Sequence, residues 1–109
     1  MDELIEVTTT VETEPQARAL ADALLDLRLA ACCQRLGPIV SAYWWQGRKE
    51  TAQEWRLLIK TRRALWSAVE RAIRERHPYD TPEILATSVT AVGEDYAAWV
   101  VRETTCPAP

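Results

Sequence analysis

The sequence is poor in several residue types, and each shortage argues against a class of function. It has only three glycines in 109 residues, which leaves no glycine-rich loop to cradle a phosphate group. It has no HxxxH, CxxC or CxH spacing, so no strong zinc site is encoded. Its serines do not stand in a nucleophile-elbow motif. We therefore predict a protein without catalytic activity.

Long apolar runs and an excess of basic residues are also missing. No run approaches the roughly 20 apolar residues of a membrane span, and the opening MDELIEV lacks the basic-then-apolar pattern of a signal peptide. The formal net charge is -3, which argues against nucleic acid as a partner. Three irregularly spaced cysteines do not form a disulfide framework and suit a reducing compartment. The expected location is the cytoplasm.

The order of predicted elements indicates one domain over residues 1–109. β-Branched runs predict strands, and apolar residues at helical spacing predict helices. The predicted strands cover 4–11, 29–34 and 83–90, the helices 14–28, 64–76 and 94–100, and a hairpin 39–61. A β-α-β-β-α-β order followed by a helix is typical of the α+β ferredoxin-like sandwich, with an antiparallel sheet and helices on one face. Residues from about Thr104 to Pro109 are expected to form a frayed tail.

The long hairpin is the most distinctive element. Its first arm, Ile39–Trp45, is β-branched, small or aromatic, and Gln46-Gly47 suits the positive φ angles of a tight turn. Gly37-Pro38 just before it predicts a bulge or kink. Tyr43 and Trp45 share one strand face while Trp44 takes the other. Since aromatic residues are enriched at subunit interfaces, we predict an intersubunit surface, formed by Trp44, Trp45 and Trp55.

The soft or borderline metal ligands are few. Cys32 and Cys33 are neighbours in a predicted strand, so their side chains point to opposite faces and do not grip one metal together. Cys32 and Cys33 suit packing as small apolar residues, and Cys106 is expected to be an incidental exposed thiol. His77 has two readings: a cation that complements the carboxyl end of a helix, or a metal ligand.

Several motifs together resemble the CutA divalent-cation tolerance proteins. The loop His77-Pro78-Tyr79-Asp80-Thr81-Pro82-Glu83 carries most of the resemblance. The hairpin segment Tyr43–Arg48 and the closing Tyr96-Ala97-Ala98-Trp99 add to it. The match runs in order over essentially the whole chain. It implies a tight homotrimer, similar in architecture to PII signalling proteins, with a cleft at each subunit interface.

The resemblance also implies a role in tolerance of copper and other divalent cations. The copper site proposed for the family uses a cysteine ending the first strand and two histidines before the proline. Here Thr9 and Arg76 replace two of those residues, which leaves His77, with Cys32 as a further candidate ligand. We therefore expect a divalent metal ion, copper, to be held weakly through His77. Binding should weaken below about pH 6 as the imidazole protonates.

A sensor of small molecules is the alternative function. In the PII-like arrangement that the resemblance implies, a ligand would sit in the intersubunit cleft. The residues predicted to surround it are Tyr43, Trp45, Lys60, Tyr79 and Glu83.

Overall fold

A computed structural model describes residues 3–105 and shows four strands and three α-helices in that range. The strands are β1 (Leu4–Val11), β2 (Cys32–Trp45), β3 (Arg48–Arg62) and β4 (Leu85–Ser88). The helices are α1 (Glu14–Asp26), α2 (Trp66–Arg76) and α3 (Glu94–Glu103). None of the helices in residues 3–105 is long and apolar enough to span a membrane.

The boundaries of α1 follow from its end residues. Thr13 forms the predicted capping box, because its Oγ1 accepts from the Gln16 N–H at 3.3 Å while Gln16 Oε1 accepts from the Thr13 N–H at 3.0 Å. The helix ends at Asp26 rather than Arg28, since Arg28 takes a positive φ of 58° that ends helical geometry. Similarly, α2 begins later than predicted because a 3-10 turn occupies Arg63–Leu65.

The sheet confirms the ferredoxin-like arrangement. Its four antiparallel strands lie in the order β2-β3-β1-β4. Two predicted strands differ in extent. Strand β2 starts at Cys32 rather than Leu29 and continues through the predicted first arm of the hairpin to Trp45, and β4 covers only Leu85–Ser88 of the predicted 83–90. Strand β2 is one edge of the sheet and the short β4 is the other.

The two helices of the ferredoxin-like unit, α1 and α2, lie on one face of the sheet as predicted, and the additional C-terminal helix α3 lies on the other. The main core joins α1 and α2 to alternate strand residues such as Ile5, Val7 and Ile59. A smaller cluster packs Leu4 against Ala97 and Val100 of α3. Because Leu4 and Ile5 are adjacent in one strand, their side chains point to opposite faces. Helix α3 therefore covers the face that α1 and α2 leave open.

The hairpin formed by β2 and β3 extends well beyond the rest of the sheet. Its turn confirms the prediction, with positive φ at Gln46 (50°) and Gly47 (78°). A register shift between Leu36 and Ile39 is the expected bulge. Strand β1 pairs with β3 only from Trp55 to Arg62, so the outer half of the hairpin has two strands and no third. The longest dimension of the molecule is 45 Å, close to the length of fourteen strand residues at ~3.3 Å each.

The predicted frayed tail does not begin at Thr104. Thr104 is buried, its Oγ1 accepts from Arg62 Nε at 2.9 Å, and the Thr105 N–H donates to the Arg28 carbonyl at 2.8 Å. These contacts hold the end of α3 against β3 and the end of α1. The remainder of the predicted tail, Cys106 to Pro109, lies outside the described residues.

Candidate functional site

A cleft lies between the outer half of the hairpin and the loop after α2. We call it the aromatic cleft; its volume is about 880 Å³. The lining residues are Thr10, Ser41, Ala42, Tyr43, Trp44, Trp45, Glu54, Tyr79, Asp80, Thr81, Pro82 and Glu83. Ile39 pairs with Glu54 across the hairpin, so their side chains point to the same face of the sheet. Ser41, Tyr43 and Trp45 follow Ile39 at every second residue and therefore share that face.

Four of the five predicted cleft residues line this space, and one does not. Tyr43, Trp45, Tyr79 and Glu83 are present. Lys60 is not: its Nζ donates to Gln34 Oε1 at 2.9 Å and lies 3.7 Å from Glu6 Oε2. Lys60 is six residues from Glu54 along β3, nearer the inner end of the sheet. The sequence does not show how far Lys60 lies from the cleft, because that distance depends on where the loop after α2 contacts the hairpin.

Glu54 is the residue that sequence reasoning missed. It is only 7 % exposed, and Tyr79 donates its hydroxyl hydrogen to Glu54 Oε2 at 2.8 Å. A glutamate on a polar hairpin arm is ordinarily solvated, so the sequence carried little signal for its burial. The contact also anchors the loop after α2 to the hairpin. Burial and the neighbouring Glu54 charge raise the pKa of Tyr79 well above its ordinary value, so the phenol keeps its proton and remains a donor.

The cleft is acidic. It is lined by three carboxyl side chains, those of Glu54, Asp80 and Glu83. None of its lining residues is a lysine, arginine or histidine. Opposite charges attract at short range, and a partly enclosed site strengthens the effect relative to open water. The site therefore favours cations over anions.

His77 lies beside the cleft with both ring nitrogens already bonded to the backbone. Its Nε2–H donates to the Thr10 carbonyl at 2.9 Å, and its Nδ1 accepts from the Tyr79 N–H at 3.1 Å. These bonds assign the neutral Nε2–H tautomer. Burial lowers the pKa of His77 below its ordinary value, against smaller opposing effects of the Thr10 carbonyl and the Glu54 charge. The lone pair on Nδ1 accepts the hydrogen bond from the Tyr79 N–H. A metal ion that binds Nδ1 would therefore have to break that hydrogen bond.

The structure does not bring the two candidate metal ligands together. Cys32 pairs with Lys60, which in turn pairs with Glu6, whereas His77 bonds Thr10, four residues further along β1. Those four residues span about 13 Å of strand, and β3 also lies between β2 and β1. Within residues 3–105, no cluster of three or more His, Cys, Asp or Glu side chains is arranged to hold a metal ion.

Thr9 and Arg76, which replace two of the expected copper ligands, differ in their surroundings. Thr9 is fully buried, and its Oγ1 finds no hydrogen-bond partner in residues 3–105. Arg76 donates to the Ala72 carbonyl at 3.0 Å and lies 3.6 Å from Glu75 Oε2. Cys33 packs against the main core, and burial raises its thiol pKa to about 12, so it is held as the unreactive thiol.

The predicted interface tryptophans differ in their surroundings. Trp44 is 71 % exposed and Trp45 49 % exposed. Trp55 is partly buried and lies over Gly37, where an added Cβ would stand 2.7 Å from the indole ring. The close contact explains why glycine suits the bulge. Trp44 and Val40, which is 76 % exposed, lie on the same face of β2, and the single chain leaves both uncovered.

Comparison with known proteins gives a consistent result. A family model described as CutA1 divalent ion tolerance protein matches residues 5–103. A divalent-cation tolerance protein CutA from Pyrococcus horikoshii is 39 % identical over 93 % of this chain and 98 % of its own. The crystal structure of CutA1 from Oryza sativa has a TM-score of 0.93 against this fold, with 33 % identity over 95 % of each chain. A CutA from Archaeoglobus fulgidus, named as periplasmic, has a TM-score of 0.90 and 29 % identity over 92 % of this chain and 97 % of its own.

Proposed function

The chain belongs to the CutA1 divalent ion tolerance family, and from this premise we propose that it acts in the response to divalent cations as a homotrimer without catalysis. The names of its relatives state a tolerance function and mention no enzyme activity. We further propose that it works in the cytoplasm, where its free cysteines Cys32 and Cys33 would stay reduced.

The exposed hairpin is the observation that supports the proposed trimer. Its outer half has only two strands, and a two-stranded ribbon in water is marginally stable. It nevertheless presents Val40, Trp44 and Trp45 to solvent. Exposed apolar patches beside an open strand edge favour association. A closed ring of three chains would cover each hairpin with its neighbour and leave no open edge.

Light scattering coupled to size exclusion tests the assembly directly. We expect about three times the chain mass of 12.4 kDa, persisting on dilution to nanomolar concentration. Because unfolding would be coupled to dissociation, the melting temperature should rise with protein concentration. A monomer at micromolar concentration would refute the trimer.

Copper does not fit the described residues as a tightly held ion. His77 offers a nitrogen lone pair only if the hydrogen bond from Tyr79 breaks, and Cys32 lies too far away to join it. The carboxylates Asp80 and Glu83 prefer harder ions. We therefore propose that cation tolerance does not depend on a tight copper site within one chain.

Calorimetric titration with Cu(II) tests this proposal. We expect a Kd weaker than about 1 μM, with a further loss of binding in His77→Ala and no change in Cys32→Ser. Lowering the pH should weaken copper binding only when the His77 imidazole protonates. Because burial lowers the pKa of His77, this happens at a lower pH than for an ordinary imidazole, whose pKa is about 6.5. Submicromolar binding that survives His77→Ala would contradict it.

A small-molecule sensor is the second candidate function. The aromatic cleft favours it, since about 880 Å³ lies within the roughly 300–1,000 Å³ of organic ligand sites. In such a sensor, the ligand would bias the position of the hairpin or of the loop anchored through Tyr79 and Glu54.

A further inference from the structure

We propose that the aromatic cleft binds a primary ammonium ion carried on an apolar body, with the ammonium group donating to Glu54. The proposal deepens the second candidate function, since it rests on the cleft being a ligand site. It does not rest on the role in cation tolerance.

The buried carboxyl of Glu54 provides the recognition of charge. Burying a carboxylate is unfavourable unless hydrogen bonds or an opposite charge compensate. Within residues 3–105, the Tyr79 hydroxyl is the donor that reaches this side chain, and it bonds Oε2. Oε1 is left able to accept from a ligand. No lysine, arginine or histidine of the same chain lines the cleft, so a positively charged ligand would compensate the carboxylate.

The aromatic side chains provide the recognition of the ligand body. Tyr43 and Trp45 line the same space as Glu54 and share its face of the hairpin. A cation within about 6 Å of an aromatic ring is attracted by its electron-rich face, most strongly by tryptophan. The rings also offer apolar area that an aliphatic or aromatic ligand body can cover. An ammonium ion on an apolar body uses both features at once.

Size and charge decide between this class and the alternatives. A single metal ion would fill little of about 880 Å³, and residues 3–105 hold no ligand cluster for one. A nucleotide or another organic anion would meet three carboxyl groups and no cation in the lining. A primary ammonium is preferred to a quaternary one because Glu54 Oε1 can accept an N–H, which a quaternary ammonium does not have.

Calorimetric titration of the assembled protein at pH 7 with three ligands of one shape tests the proposal. Phenethylamine carries the ammonium, 2-phenylethanol is neutral, and 3-phenylpropionate is an anion. We expect the amine to bind, the alcohol to bind roughly 10-fold or more weakly, and the anion not to bind. Absence of amine binding, or equal binding of amine and alcohol, would overturn the proposal.

Variants locate the site. Glu54→Gln should weaken amine binding roughly 10- to 100-fold, whereas Glu50→Gln, an exposed carboxyl on the same strand and outside the cleft lining, should change it less than about twofold. If Glu54→Gln does not fold, Trp45→Leu serves in its place and should weaken binding roughly 2- to 30-fold. Unchanged binding in Glu54→Gln, or in Trp45→Leu where that variant replaces it, would refute the assignment.

A mass measurement on the same samples separates this proposal from the proposed function. Loss of amine binding in a variant that keeps the wild-type mass concerns the cleft alone. A wild-type protein of monomer mass that still binds the amine through Glu54 would support the ligand site and refute the trimer.

Discussion

Trp44→Asp is expected to dissociate the proposed trimer into species near the 12.4 kDa chain mass. Trp44 is 71 % exposed in the single chain, so the substitution should leave the protomer folded. In the trimer, the new carboxylate would sit in an apolar contact, which costs several kcal/mol if the contact is dry. The three-fold symmetry repeats that cost at every interface. Light scattering at micromolar concentration measures the outcome.

Two companion variants sharpen the result. Val40→Asp changes the same exposed surface but lies outside the lining of the aromatic cleft, so it separates assembly from ligand binding. Leu25→Asp places the same charge on a 36 % exposed apolar residue of α1, away from the hairpin, and should leave the mass unchanged. If Trp44→Asp and Val40→Asp both keep the trimer mass, this surface of the hairpin is not the interface.

Thr9→Val is expected to stabilise the protein by about 1–3 kcal/mol. Thr9 is 0 % exposed and its Oγ1 has no hydrogen-bond partner in residues 3–105. A buried hydroxyl without a partner loses its hydration and gains nothing in return. Valine has nearly the same shape and removes the polar atom. Chemical denaturation at fixed chain concentration measures the change in the free energy of unfolding.

Thr61→Val is the matched control and should change the stability in the opposite direction. Thr61 is also 0 % exposed, but its Oγ1 donates to the Leu29 carbonyl at 2.6 Å. Valine there leaves a carbonyl without its donor and should destabilise by about 1–3 kcal/mol. If both variants destabilise equally, the Thr9 hydroxyl is satisfied in the folded protein and its assignment as unpaired is wrong.

Sequence patterns predicted the helices and strands well because caps and turns depend on residues that are neighbours in the chain. The Thr13–Gln16 capping box placed the start of α1, and Gln46-Gly47 placed the hairpin turn. Both signals act over two to four residues. The errors lie at element ends, where distant contacts decide: Thr104 is held by Arg62 of β3, a contact between residues 42 apart.

The cleft between subunits stays a prediction, but the structure shows where its expected residues lie in one chain. Tyr43, Trp45, Tyr79 and Glu83 were expected together on the resemblance to a family, and they do line one space. Glu54 could not be foreseen, because its burial depends on the Tyr79 side chain reaching it from 25 residues away. Lys60 does not line the space within one chain, since its inner position on β3 puts it beside Gln34 and Glu6.

The family was identified by the resemblance of several motifs. The sequence by itself determined the order of elements and the two-faced aromatic pattern of the hairpin, because helix caps, turns and strand alternation depend on neighbouring residues. Only the tertiary structure decided which polar groups are satisfied. It placed the ring nitrogens of His77 on backbone partners, left Thr9 Oγ1 without one, and buried Glu54 beneath Tyr79. The physical reason is that hydrogen bonding and burial depend on distances across the fold, which residue spacing along the chain does not specify.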